Sequence, residues 1–212
     1  GLVLAEIPLA ELATAGYLVR AVVVDNGSTD GTAALARDMG AFVIHEPKRG
    51  KGNAVRRAFS ETSADYVVML DGDNTYPAAY IPEMLRALCE GMDVVIGSRL
   101  KGTRAAGSIS TVNVIGNHML TWIACLLYWR KTSDLCTGYW AFRGSVLPLL
   151  HLTAPGFTLE AELFSEVARH GLRFGEVPIY YRRRPTPTKL RALRDGVKIT
   201  RMLLQGRFRR DA

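Results

Sequence analysis

The sequence predicts an α/β domain with a mainly parallel central sheet flanked by helices. Three observations carry that expectation: short apolar runs, helix-length spacers between them, and acidic or glycine turn residues where the runs end. The runs at 19–24, 41–44, 66–70 and 94–97 read as strands, since a strand covered on both faces shows continuous rather than alternating hydrophobicity. Segments 29–39, 52–62 and 77–90 read as helices between them, and strands spaced this way build βαβ units. Residues 2–15 read as one helix ahead of the first strand.

After residue 100 the rhythm changes. A Gly/Ser/Thr-rich loop at 101–110 leads to an apolar helix at 114–129, then a loop at 131–143. A helix at 159–170, a strand at 174–181, an arginine cluster and a last helix from Lys189 complete the chain. No internal repeat or low-complexity tract interrupts it.

The 212 residues, 48% of them hydrophobic, suffice for one domain with a substantial core and exclude a disordered chain. The net charge of +7 suits phosphates, nucleic acid or an anionic membrane surface without choosing among them. It is unevenly spread: between residues 182 and 210 eleven Lys and Arg face one acid, Asp195. Attraction of that tail to an anionic leaflet is one expectation, and a solvated helix face is the other. Cys89, Cys125 and Cys136 lack C-x-x-C spacing, which speaks against a disulfide framework or zinc site and for a reducing compartment. The apolar run from Met119 to Trp129 is too short to span a bilayer, and no signal-peptide segment opens the sequence given.

The most informative stretch is Asp65-Tyr-Val-Val-Met-Leu-Asp71-Gly-Asp73-Asn-Thr75-Tyr-Pro77. A buried strand runs into two carboxylates one residue apart, at the strand end where open α/β sheets gather ligands. Two hard oxygen ligands suit Mg²⁺ or Mn²⁺ completed by substrate phosphate oxygens; a simple Asp-Gly-Asp turn is the bland reading. Asp25-Asn-Gly27-Ser-Thr-Asp30-Gly31 ends another strand. A turn at Gly27 with Ser28 or Thr29 as helix cap explains much of it, but not Asp25, placed where a ribose or base could be held. The spacing is neither a Rossmann fingerprint nor a P-loop. Glu46-Pro-Lys48-Arg49-Gly50-Lys51-Gly52-Asn53 is a basic, glycine-rich turn opening a helix, whose N–H groups could meet an anion or simply be solvated.

Taken in order, D-N-G-S-T-D-G-T, R-G-K-G-N-A, D-G-D-N-T-Y-P and V-I-G-S-R resemble the family 2 glycosyltransferases of the GT-A fold. The later S-D-L-C-T-G-Y-W-A-F-R and E-V-P-I-Y-Y-R-R-R-P-T-P-T-K-L are similar to the polyprenyl-phosphate branch typified by dolichyl-phosphate mannose synthase. The resemblance spans about residues 20–200. It implies one GT-A domain, with a nucleotide-binding half at about 1–100, an acceptor half at about 101–188 and a basic helix at about 189–212. It implies Asp25 as the nucleoside-binding acid, with Gly27 and Lys51 beside it among the substrate-binding residues. Asp71 and Asp73 would hold the metal and, through it, the donor diphosphate. Arg99 would face the acceptor phosphate, and Asp134 and Gly138 would form the loop beside the active site. Arg184 and Lys189 would belong to the basic segment that closes over both phosphates. Three departures stand out: Thr75 replaces a Gln metal ligand of relatives, Asn113 replaces an acceptor-side Arg, and the closing segment has Thr and Pro for Gly and Ser. The family's opening strand has no counterpart, which is read as a missing N-terminal segment.

The implied activity is inverting, metal-dependent transfer of a hexose from a nucleotide sugar to a polyprenyl or dolichyl phosphate. Its implied place is the cytosolic face of a membrane, with peripheral contact. A phosphate acceptor is already ionised at neutral pH, so no strong base is needed, and His45, His118, His151 and His170 read as structural or surface residues. Either Asp134 or Glu160 could orient the acceptor, Glu160 reading equally as a helix-surface acid. The 114–129 helix, with Trp122, Tyr128 and Trp129, reads as a core helix or as an interfacial one. Three rivals remain, a soluble transferase with a small phosphorylated acceptor, a basic nucleic-acid module and a non-catalytic nucleotide sensor; the second lacks aromatics interleaved with its arginines, so no nucleic-acid partner is expected.

Overall fold

The computed structural model describes residues 1–184 and 192–209. The opening segment forms two short helices, α1 (Leu2–Ala5) and α2 (Leu9–Thr14), not one. Pro8 stands between them, and a proline ring with no N–H breaks a continuous helix there. Strand β1 (Val22–Asp25), helix α3 (Thr32–Asp38), strand β2 (Phe42–His45) and helix α4 (Lys51–Ser60) follow. The α3 start lies beyond the expected Ser28 or Thr29 cap. Gly27 and Gly31 both take positive φ, 81° and 76°, and these two left-handed steps delay the helix. Strand β3 (Tyr66–Met69), a short 3-10 turn (Ala78–Tyr80) and α5 (Ile81–Cys89) complete the first half.

The second half holds β4 (Val94–Arg104), α6 (Thr111–Tyr128), β5 (Trp140–Arg143), α7 (Leu159–Arg169), β6 (Phe174–Tyr181) and α8 (Ala192–Phe208). Strand β4 is much longer than the run at 94–97 and is irregular between Ser98 and Thr103. Strand β5 falls inside the expected 131–143 loop. It inserts antiparallel between β3 and β4, giving the order β3-β5-β4-β6, while β4 and β6 run parallel. Three of the four strands therefore share a direction, and β5 makes the sheet mixed. Strands β1 and β2 form a separate parallel pair, Val22 opposite Phe42 through Asp25 opposite His45.

Both faces of the four-stranded sheet are covered. Trp140, Phe142, Val94 and Ile96 face Leu159, Leu163, Phe164 and Leu203 of α7 and α8. On the opposite side Tyr139, Ala141 and Val95 meet Met84, Leu88 and Ile179. Successive residues of β5 thus enter opposite cores, as the period of two demands.

Candidate active site

The strand β3 ends at Met69, and the chain turns through Asp71, Gly72 and Asp73, with Asn74 at φ 61°. Asp73 Oδ1 accepts from the Thr75 amide at 3.1 Å and from the Thr75 hydroxyl at 2.5 Å. Thr75 is fully buried and spends its hydroxyl on Asp73, so it aims that carboxylate rather than replacing the Gln ligand of relatives. The other oxygen, Asp73 Oδ2, meets Arg184 Nη2 at 2.7 Å. Asp71 Oδ1 meets Lys51 Nζ at 2.6 Å, and the same ammonium reaches Glu160 Oε1 at 2.7 Å. Burial opposes the Lys51 charge, but Glu160 and Asp71 outweigh it and raise its pKa above the ordinary lysine value. Glu160 is mostly buried in the first turn of α7, so it is not the helix-surface acid considered above.

Gly138 closes this corner. A Cβ there would lie 2.5 Å from Asp71 Oδ2 and 3.0 Å from Lys51 Nζ, so any larger residue would have to displace the carboxylate. The Gly138 amide donates to the Tyr76 hydroxyl at 2.7 Å, and the Tyr76 ring is buried. The loops after β3 and before β5 are thereby tied together.

Arg99 and Asp134, assigned separate roles from sequence, are each other's partner. Arg99 Nε and Nη2 donate to Asp134 Oδ2 and Oδ1 at 2.8 and 2.6 Å, and the Arg99 amide adds a bond of 2.9 Å. This is the bidentate fork that suits guanidinium to carboxylate. The Asn117 side-chain amide of α6 donates to Asp134 Oδ1 at 2.6 Å. Burial would push the Asp134 carboxyl up, yet Arg99 and these donors bring it below the ordinary carboxylate range. Burial likewise disfavours the Arg99 charge, and Asp134 more than restores it. The fork leaves Nη1 out of the pair.

Sequence reasoning missed Asn117, and its signal was a lone amide on the buried face of an apolar helix. It also missed Glu176 of β6, which accepts from the Thr132 hydroxyl and the Ser133 amide and hydroxyl and meets Lys101 at 2.6 Å. Glu176 thus fixes the start of the loop that carries Asp134.

Asp25 lies at the end of β1, where its carboxylate accepts from the Ser28 amide at 3.1 Å and meets His45 Nδ1 at 3.3 Å. The Ser28 bonds chiefly hold its pKa below the ordinary value. The turn thus gives Asp25 a structural partner that the sequence alone did not provide. Asn26, also missed, accepts from the Gly50 amide at 2.6 Å and donates to the Glu46 and Lys48 carbonyls. It fastens the basic turn to the loop holding Asp25 and Gly27. The α4 start is not an open anion cradle: the Gly52 amide donates to the Pro155 carbonyl at 3.1 Å. A Cβ at Gly50 or Gly52 would collide with the backbone carbonyls of Pro155 or Ala154. The glycines serve close packing, and Lys51 Nζ is the part that faces the site. Lys189 lies outside the described residues.

Among the described residues no group of three His, Cys, Asp or Glu could hold a metal unaided. Asp71 and Asp73 are two carboxylates on one turn, each already faced by a cationic nitrogen. That donor set fits Mg²⁺ or Mn²⁺, which accept few protein ligands and take phosphate oxygens and water for the rest.

The family described as glycosyl transferase family 2 matches residues 4–147. The chain belongs to that family. The glycosyltransferase AglJ of Haloferax volcanii is 40% identical over 178 residues, 82% of this chain and 58% of its own length. This family 2 chain thus spans little more than half of that relative. The dolichyl-phosphate hexose transferase of the same organism is 36% identical over 184 residues, 87% of this chain and 79% of its own. Among solved structures, glucosyl-3-phosphoglycerate synthase from Mycobacterium tuberculosis, in complex with Mn²⁺, UDP-glucose and phosphoglyceric acid, aligns with a TM-score of 0.67. Its identity is 26%, over 90% of this chain and 69% of that one. The chain therefore has the GT-A fold.

Proposed function

We propose that this glycosyltransferase moves a hexose from a nucleotide sugar to the phosphate of a polyprenyl or dolichyl lipid, with inversion and with a divalent ion. The observation that carries the reading is the charge arrangement of the cleft: Lys51 and Arg184 on the Asp71/Asp73 turn, and the Arg99–Asp134 fork beside it. The likeness to a dolichyl-phosphate hexose transferase over 87% of the chain supports the lipid acceptor.

The chemistry asks for little from side chains. One oxygen of the acceptor phosphate attacks the anomeric carbon from the face opposite the leaving group. The bond from that carbon to the nucleoside diphosphate breaks, and the electron pair leaves with the diphosphate. Bound Mg²⁺ or Mn²⁺, held by Asp71 and Asp73, would neutralise that departing charge. Arg184 and Lys51 supply further positive charge at the same place, each worth about 3–4 kcal/mol if comparable to other preorganised donors. Asp134 stays ionised and holds Arg99 in one orientation, so the acceptor phosphate meets a fixed guanidinium edge. No proton needs removal from an ionised phosphate, so the transfer calls for no general base. Transfer would take place at the cytosolic face of a membrane, reached by peripheral contact.

A second reading, a small phosphorylated acceptor, is favoured by the likeness to glucosyl-3-phosphoglycerate synthase. One assay separates them: labelled UDP- or GDP-hexose with Mn²⁺, offered either polyprenyl phosphate in vesicles or 3-phosphoglycerate in solution. The lipid reading expects label to enter the organic phase. Label only in a soluble product would overturn it.

A further inference from the structure

Helices α1 and α2 reach the carboxylate turn through one arginine. Ile7 and the buried Leu12 pack into the core cluster of Tyr76 and Tyr181, whose ring centroids lie 5.0 Å apart. Tyr76 follows the turn that carries Asp71 and Asp73, and Tyr181 ends β6. That packing sets Glu6, the cap residue closing α1, beside Arg182, the first residue past β6. Arg182 Nη1 donates to Glu6 Oε1 and Oε2 at 2.7 and 2.8 Å and to Asn74 Oδ1 at 2.8 Å. The Arg182 amide donates to the Thr75 carbonyl at 3.0 Å.

These contacts fall on the two residues that shape the turn. The bond from the Thr75 amide to Asp73 Oδ1 closes an Asx turn, and Asn74, at φ 61°, is its middle residue. A left-handed step is unfavourable for an L side chain, and asparagine is among the few that tolerate it. The Arg182 bonds to the Asn74 side chain and the Thr75 carbonyl hold that step in place. A slip there would re-aim the Asp73 carboxylate, because Thr75 would no longer fold back onto it.

The two arginines of this segment differ in what opposes them. Arg184 is paired with Asp73 itself, so an ion arriving at Asp73 would compete with it. Arg182 is paired with Glu6, which lies outside the turn, and that pair is the same whether or not an ion is bound. An ion pair whose side chains are 33% and 34% exposed adds little to stability by itself. Its third partner, Asn74, is what connects it to the site.

We propose that Glu6 and Arg182 are positioning residues that act through Asn74 to hold the Asp71–Asp73 turn in the geometry that receives its divalent ion. The proposal rests on the metal and nucleotide-sugar reading above, and it makes the N-terminal helices part of the support of that site.

The test reads ion binding rather than turnover. Mn²⁺ titrated into the protein at saturating UDP or GDP, followed by water-proton relaxation, gives the half-saturating ion concentration. Calorimetry at saturating Mn²⁺ gives the nucleotide Kd. Arg182→Met and Glu6→Gln should each raise the half-saturating Mn²⁺ by about tenfold, the scale for losing an outer partner of a metal ligand, while the nucleotide Kd at saturating Mn²⁺ hardly changes. Adding Glu6→Gln to Arg182→Met should cost almost nothing more, since both act through one guanidinium. Asn74→Ala, which opposes the left-handed step, should weaken Mn²⁺ more than Asn74→Gly, which accepts it. Should Arg182→Met fail to fold, Arg182→Lys keeps the charge without the planar fork and should shift Mn²⁺ in the same direction.

Variants that bind Mn²⁺ as the parent does would overturn the proposal alone. So would an equal loss of nucleotide affinity at saturating Mn²⁺, which would make Arg182 a direct phosphate ligand, or additive losses, which would give Glu6 a separate structural role. A parent that binds no Mn²⁺ with either nucleotide would overturn the metal reading and this proposal together.

Discussion

Replacing Asp134 by Asn should destabilise this protein far more than its small change in shape implies. The carboxylate is fully buried and takes two donors from the Arg99 side chain, one from its amide and one from Asn117. Asparagine preserves the volume but leaves the Arg99 charge uncompensated, and breaking a buried pair in this way costs about 3–5 kcal/mol. At about 2–4 °C per kcal/mol for a chain of this size, Tm should fall by about 6–20 °C. Arg99→Met should cost a similar amount, because it strands Asp134. The double variant Arg99→Met/Asp134→Leu removes both charges and should recover much of the loss, less about 1–3 kcal/mol for the Asn117 amide left without its acceptor. It should nevertheless be inactive, which separates stability from catalysis. The pH dependence follows from the depressed Asp134 carboxyl. Its stabilisation is present above the unfolded carboxylate range, near pH 4, and is lost as pH falls through the lower folded value. The acid limb of the Tm–pH curve should accordingly shrink in Asp134→Asn. Thermal unfolding followed by circular dichroism measures all of this. A single-variant loss below about 2 °C, or strict additivity in the double variant, would refute the buried-pair reasoning.

Two further outcomes bear on the carboxylate turn. Asp73→Asn keeps the Thr75 contacts but removes an anionic oxygen from the metal and from Arg184, so transfer should fall by about 10²-fold or more, and chelation by EDTA should do the same; full activity in either case would sink the metal assignment. Gly138→Ala places a methyl against Asp71 and should reduce kcat strongly while lowering stability by only about 1–3 kcal/mol, the usual range for local overpacking; unchanged kinetics with Mn²⁺ would mean that Asp71 can move freely.

The alternation of helix and strand was legible wherever a run was long enough to show its period. Strand β5 was not, because Trp140-Ala-Phe-Arg143 is four residues long, follows a Thr-Gly turn, and sends neighbouring side chains into opposite cores. Such a segment shows neither helical spacing nor polar alternation. The break at Pro8 was available in principle, since proline forbids the continuous helix that residues 2–15 otherwise suggest. The extension of β4 past Gly97 was hidden because Lys101 and Thr103 fall in the Gly/Ser/Thr-rich stretch 101–110 that reads as loop, although the strand pairs with β6 across its irregularity.

The identities of the site residues were legible because carboxylates and glycines at strand ends are chemically distinctive. Their pairings were not, because each links distant positions: Lys51 with Glu160, Arg99 with Asp134, Arg184 with Asp73. Those pairings alter the picture of the cleft. Asp71, Asp73 and Asp134 each already face a positive group of the chain, so the apo cleft does not present a bare cluster of negative charge. A nucleoside diphosphate can draw Lys51 and Arg184 to itself only by leaving Asp71 and Asp73 uncompensated, and a divalent ion restores that compensation. The ion alone faces the opposite difficulty, since two cationic side chains oppose it at its own ligands. On the proposed function, donor and metal would therefore favour each other's binding through the same two carboxylates, a coupling that follows from ion pairs that motif spacing could not disclose.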